Sequence, residues 1–394
     1  MRERGGRSTA TLLPVRLAWR QLRHEPRKLL AGVAGVVFAV VLMFMQFGYR
    51  DAMFDSAAAV QRQLSGDLFI AHRQSQTLWR MAPFSRRRVL QTLAVPDVAE
   101  ATYLYVGLGD WKNPWTAKHR AILIFGIDPA IGLLELSGVP EQLDAIKDED
   151  AVLYDAHSHP EFGPVATVMR DGQQLSAEVN HRRLYVRGLF RLGASFTADG
   201  NLVTSHENFL RILPERRPSQ ADLGVIRLRP GANRAAAQAA VARLMPSDVR
   251  VLTRDELVRL EHDYWENATG IGFVFTLGAL MGFVVGVVIV YQILYTEVAN
   301  HLAQYATLTA MGHPHRFLLG IVAGAAMILS VLGYVPGFLL SLTLYRLTER
   351  VTFLPMIFGV AKPLLVFGLT IVMCFVSGGM ALRKLREADP ADLF

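Results

Sequence analysis

Cysteine occurs once in these 394 residues, as Cys374. A disulfide within the chain is therefore excluded, and any domain in an oxidising compartment must be held by its own core. Charge is missing from four long stretches, 29–47, 271–294, 317–344 and 363–382, which contain no Asp, Glu, Lys, Arg or His. Without such groups inside them, these stretches lack the usual carriers of an ion or proton pathway. The phosphate-cradling pattern GxxxxGK followed by Ser or Thr is absent, so ATP binding by a P-loop is excluded for this chain. Neither GxSxG nor HExxH occurs.

What is present is apolar surface. The chain is 52% hydrophobic, with a mean hydropathy of +0.27. Each uncharged stretch is about 19 residues or longer, and a helix needs about 20 to cross a bilayer. The runs are continuous rather than alternating, which points to helices and not to barrel strands. Four spans follow, at 29–49, 268–295, 317–345 and 363–382.

The chain carries a net charge of +7, and basic residues flank its first and last apolar stretches. Eight Lys/Arg residues precede the first span, from Arg2 to Lys28, and Arg383, Lys384 and Arg386 follow the last. Charge placed against apolar spans argues for a membrane rather than for nucleic acid. The positive-inside rule puts both termini in the cytoplasm, as an even number of spans requires. Residues 1–28 and 383–394 then lie inside with the loop 296–316, while 50–267 and the short loop 346–362 lie outside. A cleaved leader ending at Ala57-Ala58-Ala59 is disfavoured, because the apolar core is too long and Arg50 and Asp51 intervene.

Residues 1–28 form a basic amphipathic segment. Arg16, Arg20, Arg23 and Arg27 line one helical face, with Leu17, Trp19 and Leu22 elsewhere on it. Such a helix suits anionic lipid, and it serves equally as a topology anchor. Pro26 predicts a fresh helix start running into the first span. Helical spacing continues beyond Arg50 through Met53, Phe54, Ala57, Ala58 and Leu64, and returns before the second span at Leu257, Leu260 and Tyr264. These two segments predict a helical stalk under the outer domain.

That domain mixes signals. AILIFGID, LYVRGLF and GVIRLRP read as strands, and ANRAAAQAAVARLM reads as a helix stopped by Pro246. The expected fold is a membrane protein with four transmembrane α-helices and a large α+β domain between the first and second. Arg86, Arg87 and Arg88 read as a solvated face. Asp155, His157, His159 and Glu161 alternate, so an extended segment would align them as metal ligands. Pro160 and the Gly163-Pro164 pair instead suggest a loop, and the preferred reading is a polar surface with no metal. His181, His206 and His262 pair with no evident nucleophile, and no catalytic residue is assigned. Asn267-Ala268-Thr269 matches a glycosylation sequon but abuts the membrane.

Glycines recur at four-residue intervals within the spans: Gly278, Gly282 and Gly286 in the second, Gly320 with Gly324 and Gly333 with Gly337 in the third. This spacing lets helices approach closely. Pro336 is expected to kink the third span. Between these spans lies HLAQYATLTAMGHPHRF, residues 301–317, a helical pattern stopped by Gly312 and Pro314 and free of Lys, Asp and Glu.

The order of span, large domain and three further spans resembles the FtsX-like/MacB-like permease family of ABC transporters, and among them the DevC-type permeases of the heterocyst-glycolipid exporter class. The stretches carrying the resemblance are LAWRQLRHEPRK, FMQFGYRDAMFDS, YWENATGIGFVFTLGALMGFVVGVVIVYQILY, HLAQYATLTAMG and ALRKLREADPADLF, with EFGP, VRGLFRLGASFTADGNL and RLRPG in the domain. The resemblance implies an inner-membrane permease with its large domain in the periplasm. It implies a homodimer that recruits a separate ABC ATPase, which holds the ATP and Mg, leaving no cofactor in this chain. It further implies a periplasmic membrane fusion protein and a TolC-like outer-membrane duct, with a lipid-like or other hydrophobic substrate taken from the periplasm or outer leaflet. The family's alternative role is lipoprotein release or control of a cell-wall hydrolase. The segment 297–312 corresponds to the family's coupling helix, so Glu297, His301, Gln304, Tyr305, Leu308, Met311 and Gly312 are the expected ATPase-facing set. Relatives commonly carry an acid at Gln304, a base at Thr309 and an acid near Gly324-Ala325-Ala326.

Overall fold

The computed structural model describes residues 7–193, 195, 198–301, 311, 315–354, 356 and 358–387. Two helices open the chain, α1 (Arg7–His24) and α2 (Pro26–Ala57). Pro26 starts α2 without cost, because its missing N–H would have had no helical partner. There follow α3 (Ala59–Arg62), β1 (Leu68–His72), β2 (Phe84–Ser85), α4 (Arg87–Gln91), β3 (Val98–Lys112), β4 (His119–Ile127), β5 (Ala151–Asp155), α5 (Val165–Arg170), β6 (Leu175–Val179), β7 (Arg182–Phe190), β8 (Asn201–Ser205), α6 (His206–Ile212), β9 (Gln220–Ala221), β10 (Leu223–Leu228), α7 (Arg234–Leu244), β11 (Val249–Thr253) and α8 (Arg254–Asp263). A π turn, Tyr264–Ala268, leads on to α9 (Ile271–Asn300), α10 (His315–Thr352) and α11 (Ala361–Glu387).

The chain divides into a helical unit (1–51, 272–348 and 356–394) and a sheet unit (52–271 and 349–355). Among the described residues, four helices are long and apolar enough to cross a membrane, and they enclose the four uncharged stretches. Their ends differ from the sequence expectation. The outer loop expected at 346–362 is helical as far as Thr352, and α9 begins at Ile271 rather than 268. Gly270, at φ +70°, breaks the backbone there, which the apolar pattern alone does not register.

In the helical unit, α2 runs antiparallel to α9 and parallel to α10. Gly278, Gly282 and Gly286 of α9 meet Gln46, Leu42 and Ala39 of α2 in reverse order. Gly333 and Gly337 of α10 meet Val36 and Val40 in the same order. Such proximity replaces lost hydrophobic drive with close dispersion contact. The Ser377 hydroxyl donates to the Val287 carbonyl at 2.9 Å, tying α11 to α9. Lys362 at the start of α11 pairs with Asp51 at 3.0 Å.

In the sheet unit nine strands follow the order β11-β1-β10-β3-β4-β8-β5-β7-β6, and β6 returns to pair with β3 through Trp111↔Val179 and Lys112↔Glu178. Six strands thus close into a ring. The pairs β4–β8 and β5–β7 are parallel and the other neighbours antiparallel. The fifteen-residue β3 serves both halves: 98–104 pair with β10, and 105–112 with β4. Trp111, Ile122, Ile124, Val152, Phe162 and Leu202 form one core with α6 residues Phe209 and Ile212. Each such side chain contributes about 1.5–3 kcal/mol on burial. The Trp111 indole N–H donates to the Phe162 carbonyl at 3.3 Å, so its polar edge is not stranded.

Candidate functional site

The end of the helical bundle that carries α1 holds Glu297 of the predicted residues. Ala18, Gln21 and Leu22 of α1 close over Leu294, Glu297 and Val298 of α9 and Ile321, Val322 and Ala325 of α10 around a small cavity. The face of α1 that packs here is the one opposite its arginines: Ala18 and Leu22 are buried, and Arg16 and Arg20 are exposed. Glu297 is 5% exposed, and its Oε1 lies 3.6 Å from His301 Nδ1. That same nitrogen is 2.9 Å from the Glu297 backbone carbonyl. Glu25 and Lys28, at the α1–α2 junction, form an ion pair.

Glu297 therefore points into the bundle, toward α1, and His301 lies half-buried beside it. Met311 is 65% exposed. Gln304, Tyr305, Leu308 and Gly312, with Thr309, lie outside the described residues. Of the glycines, Gly278, Gly282 and Gly286 face α2, with Met373 of α11 also against Gly286. Gly324 is buried and Gly320 half-buried.

The sheet unit holds two polar centres that the sequence reading did not single out in these roles. Asp155 ends β5 and is fully buried. Its Oδ1 accepts the backbone N–H groups of His157 (3.0 Å) and Leu192 (3.1 Å), and its Oδ2 accepts Gly193 N–H and the Asn201 amide, both at 2.9 Å. Four donors occupy this carboxylate, so it pins two loops together. The other members of the alternating set disperse. The chain turns through a short 3-10 segment, Pro160–Phe162, the His159 ring meets Phe353 edge-on at 5.4 Å, and Glu161 pairs with Arg120. Among the described residues no group of three or more His, Cys, Asp or Glu has the arrangement of a metal site.

Glu261 is the second centre. It is 2% exposed on the inward face of α8, four residues from Leu257 and four from Trp265. Its Oε2 accepts Gln61 Nε2 and the Leu78 backbone N–H, each at 2.8 Å, and its Oε1 accepts the Trp265 indole N–H at 2.9 Å. Burial pushes its carboxyl up to about 7, against the three donors that pull it down. The stalk segments predicted after Arg50 and before the second span are joined here, through a buried acid. Its signal in the sequence is an acid at the i+4 position of an apolar stripe, Leu257, Glu261, Trp265.

Residues 276–390 match the family model described as FtsX-like permease C-terminal. They take in most of α9 and all of α10 and α11. The match covers under a third of the chain, and it falls on three of the four helices that are long and apolar enough to cross a membrane. Among solved structures, similarity is found to the periplasmic region of MacB from Actinobacillus actinomycetemcomitans, at 14% identity over 53% of this chain and 97% of that one, with a TM-score of 0.36. It is also found to the extracellular domain of the noncanonic ABC-type transporter YknZ from Gram-positive bacteria, at 11% identity over 48% and 99%, with a TM-score of 0.35. No curated protein matches the chain.

Proposed function

We propose that this chain is the transmembrane subunit of an ABC-type exporter of the DevC kind, and that it passes ATP-driven motion from a separate ATPase to its outer domain. The observation that carries the reading is the permease match over 276–390 in a chain without a nucleotide-binding loop of its own. Both termini are cytoplasmic, as the flanking Lys/Arg clusters favour, and the sheet unit is periplasmic. A homodimer provides two docking surfaces for two ATPases, and a membrane fusion protein with a TolC-like duct receives the cargo. That cargo is lipid-like or otherwise hydrophobic. The uncharged spans support expulsion from the outer leaflet or periplasm over passage through the bundle.

In this reading α2 and α8 transmit force. α2 continues unbroken from the basic inner end at Pro26 to Ala57 in the sheet unit. Glu261 then fixes α8 to Gln61, just beyond α2.

The test is reconstitution. The protein, co-purified with an ATPase encoded beside it, should show ATPase activity that depends on the permease, and a deletion strain should lose export of a lipid-like product only while its fusion protein is present. Topology is checked by cysteine labelling in a Cys374→Ala background: Lys118→Cys should react from outside and Arg20→Cys only after the membrane is opened. The reverse pattern would overturn the orientation.

A further inference from the structure

Within the sheet unit, a cavity of about 300 Å³ is lined by Ser56, Ala59, His157, Leu192, Glu349 and Phe353. Ser56 lies in the last turn of α2 and Glu349 in the last turns of α10, two helices long enough to span a bilayer. The cavity therefore lies beside the last turns of these two helices. Its wall is largely apolar, with one carboxylate. No cation lies within ion-pair distance of Glu349 among the described residues, although Arg346 and Arg350 flank it in sequence.

A second observation comes from the backbone. Phe353 caps α10, its N–H donating to the Glu349 carbonyl at 2.9 Å, with φ at +59°. Glycine takes this left-handed capping position freely, whereas a bulky residue is strained there. Strain of this kind marks a side chain that the site uses. Here it sets an aromatic ring and a carboxylate on the same cavity, one helical turn apart. A carboxylate and an aromatic ring lining one cavity are the two elements that hold an alkylammonium group, by countercharge and by the ring's negative face.

We infer that this cavity binds the cationic head of an amphiphile, with Glu349 as countercharge and Phe353 as the aromatic wall. As the cargo site of an exporter the assignment rests on the reading above, but the binding itself does not.

The full-length protein in maltoside detergent is titrated calorimetrically with octyltrimethylammonium, octyl sulfate, octyl glucoside and tetramethylammonium. Saturable binding of octyltrimethylammonium alone is expected. Glu349→Gln, an isosteric change at an exposed position, should weaken it about five-fold, and Phe353→Ala should weaken it by about three-fold. Equal binding of the sulfate or glucoside would overturn the charge preference. Equal binding of tetramethylammonium would mean a free cation rather than an amphiphile. Unchanged affinity in both variants, with unchanged melting temperature, would remove the site. Octyltrimethylammonium binding without stimulation of the partner ATPase would leave the site standing and count against the exporter reading.

Discussion

Gly35 of α2 and Ile289 of α9 lie so close that a Cβ on Gly35 would stand 2.3 Å from Ile289 Cγ2. The same register continues along the pair: Ala39 meets Gly286, Leu42 meets Gly282, and Gln46 meets Gly278. On its other flank α2 meets α10, where a Cβ on Gly333 would fall 2.4 Å from Val36. The first span is thus wedged between the second and third by small residues contributed from both sides.

Gly35→Val should therefore separate α2 from α9. Ile289 is branched at the point of contact and gives way poorly, so the cost is that of overpacking, about 1–3 kcal/mol. The measurement is unfolding of the purified protein in a mixed detergent titration, with Gly368→Val as control, since nothing lies within 4 Å of a Cβ there. Equal midpoints for the two variants would contradict this packing.

Glu261 predicts a pH dependence with a defined sign. Its carboxyl is raised by burial from the ordinary 4.5 to about 7. The folded state therefore holds this proton more tightly than the unfolded chain does. Its contribution to stability is fully present below about pH 4.5 and is lost as pH rises through about 7. Neighbouring His262 shifts the opposite way, down by burial, so a wild-type profile alone mixes the two. Comparison with Glu261→Gln separates them. The melting-temperature advantage of the wild type over Glu261→Gln should change between pH 5 and pH 8, shrinking toward the higher pH. A constant difference would show that Glu261 does not titrate in that range.

Asp155 predicts a larger and less conditional loss. Its carboxylate accepts three backbone N–H groups, from His157, Leu192 and Gly193, and the side-chain amide of Asn201, all in a fully buried position. Asp155→Asn keeps the shape but replaces one acceptor oxygen with an NH₂ that faces donors. The cost is that of buried groups left unpaired, about 2–4 kcal/mol. Hydrogen exchange should report it first at the Leu192 and Gly193 amides. Full protection there in the variant would contradict the assigned role.

The parts of this architecture that were readable from the sequence are those set by local pattern. Uncharged runs give the helices that enclose them, alternating or continuous apolar residues give β4, β7 and β10, and Pro26 gives the start of α2. What was not readable depends on partners distant in sequence. The return of β6 to β3 joins residues 66 and 68 positions apart, and no local feature of Val179 announces Trp111. Glycine spacing drew attention to α9 and α10, while the close approach of α2 to α9 uses Gly35, which has no glycine four residues away. At the bundle end, periodicity placed Glu297 and His301 on one face but could not say which face is buried. Packing of α1 decides it: the small residue Ala18 lets that helix close over Glu297.

That placement divides the coupling segment into two kinds of residue. Glu297 lines the cavity between α1 and α10, so under the proposed function its part in coupling would be indirect, through the packing of α1 on α9. Met311 is exposed, so under the same proposal it would be the residue that meets a groove on the ATPase. The two should fail differently. Met311→Asp should weaken association with the ATPase, seen as loss of co-purification, while the permease keeps its own melting temperature. Glu297→Leu removes a buried carboxylate that has Oε1 without a hydrogen bond, so the permease should remain folded. Its effect should fall on the link between α1 and α9, measured as faster hydrogen exchange in residues 16–24 and as ATPase activity that no longer responds to the permease, with co-purification intact. If Glu297→Leu instead abolishes co-purification and leaves α1 protected, Glu297 touches the ATPase directly and α1 is not the coupling strap.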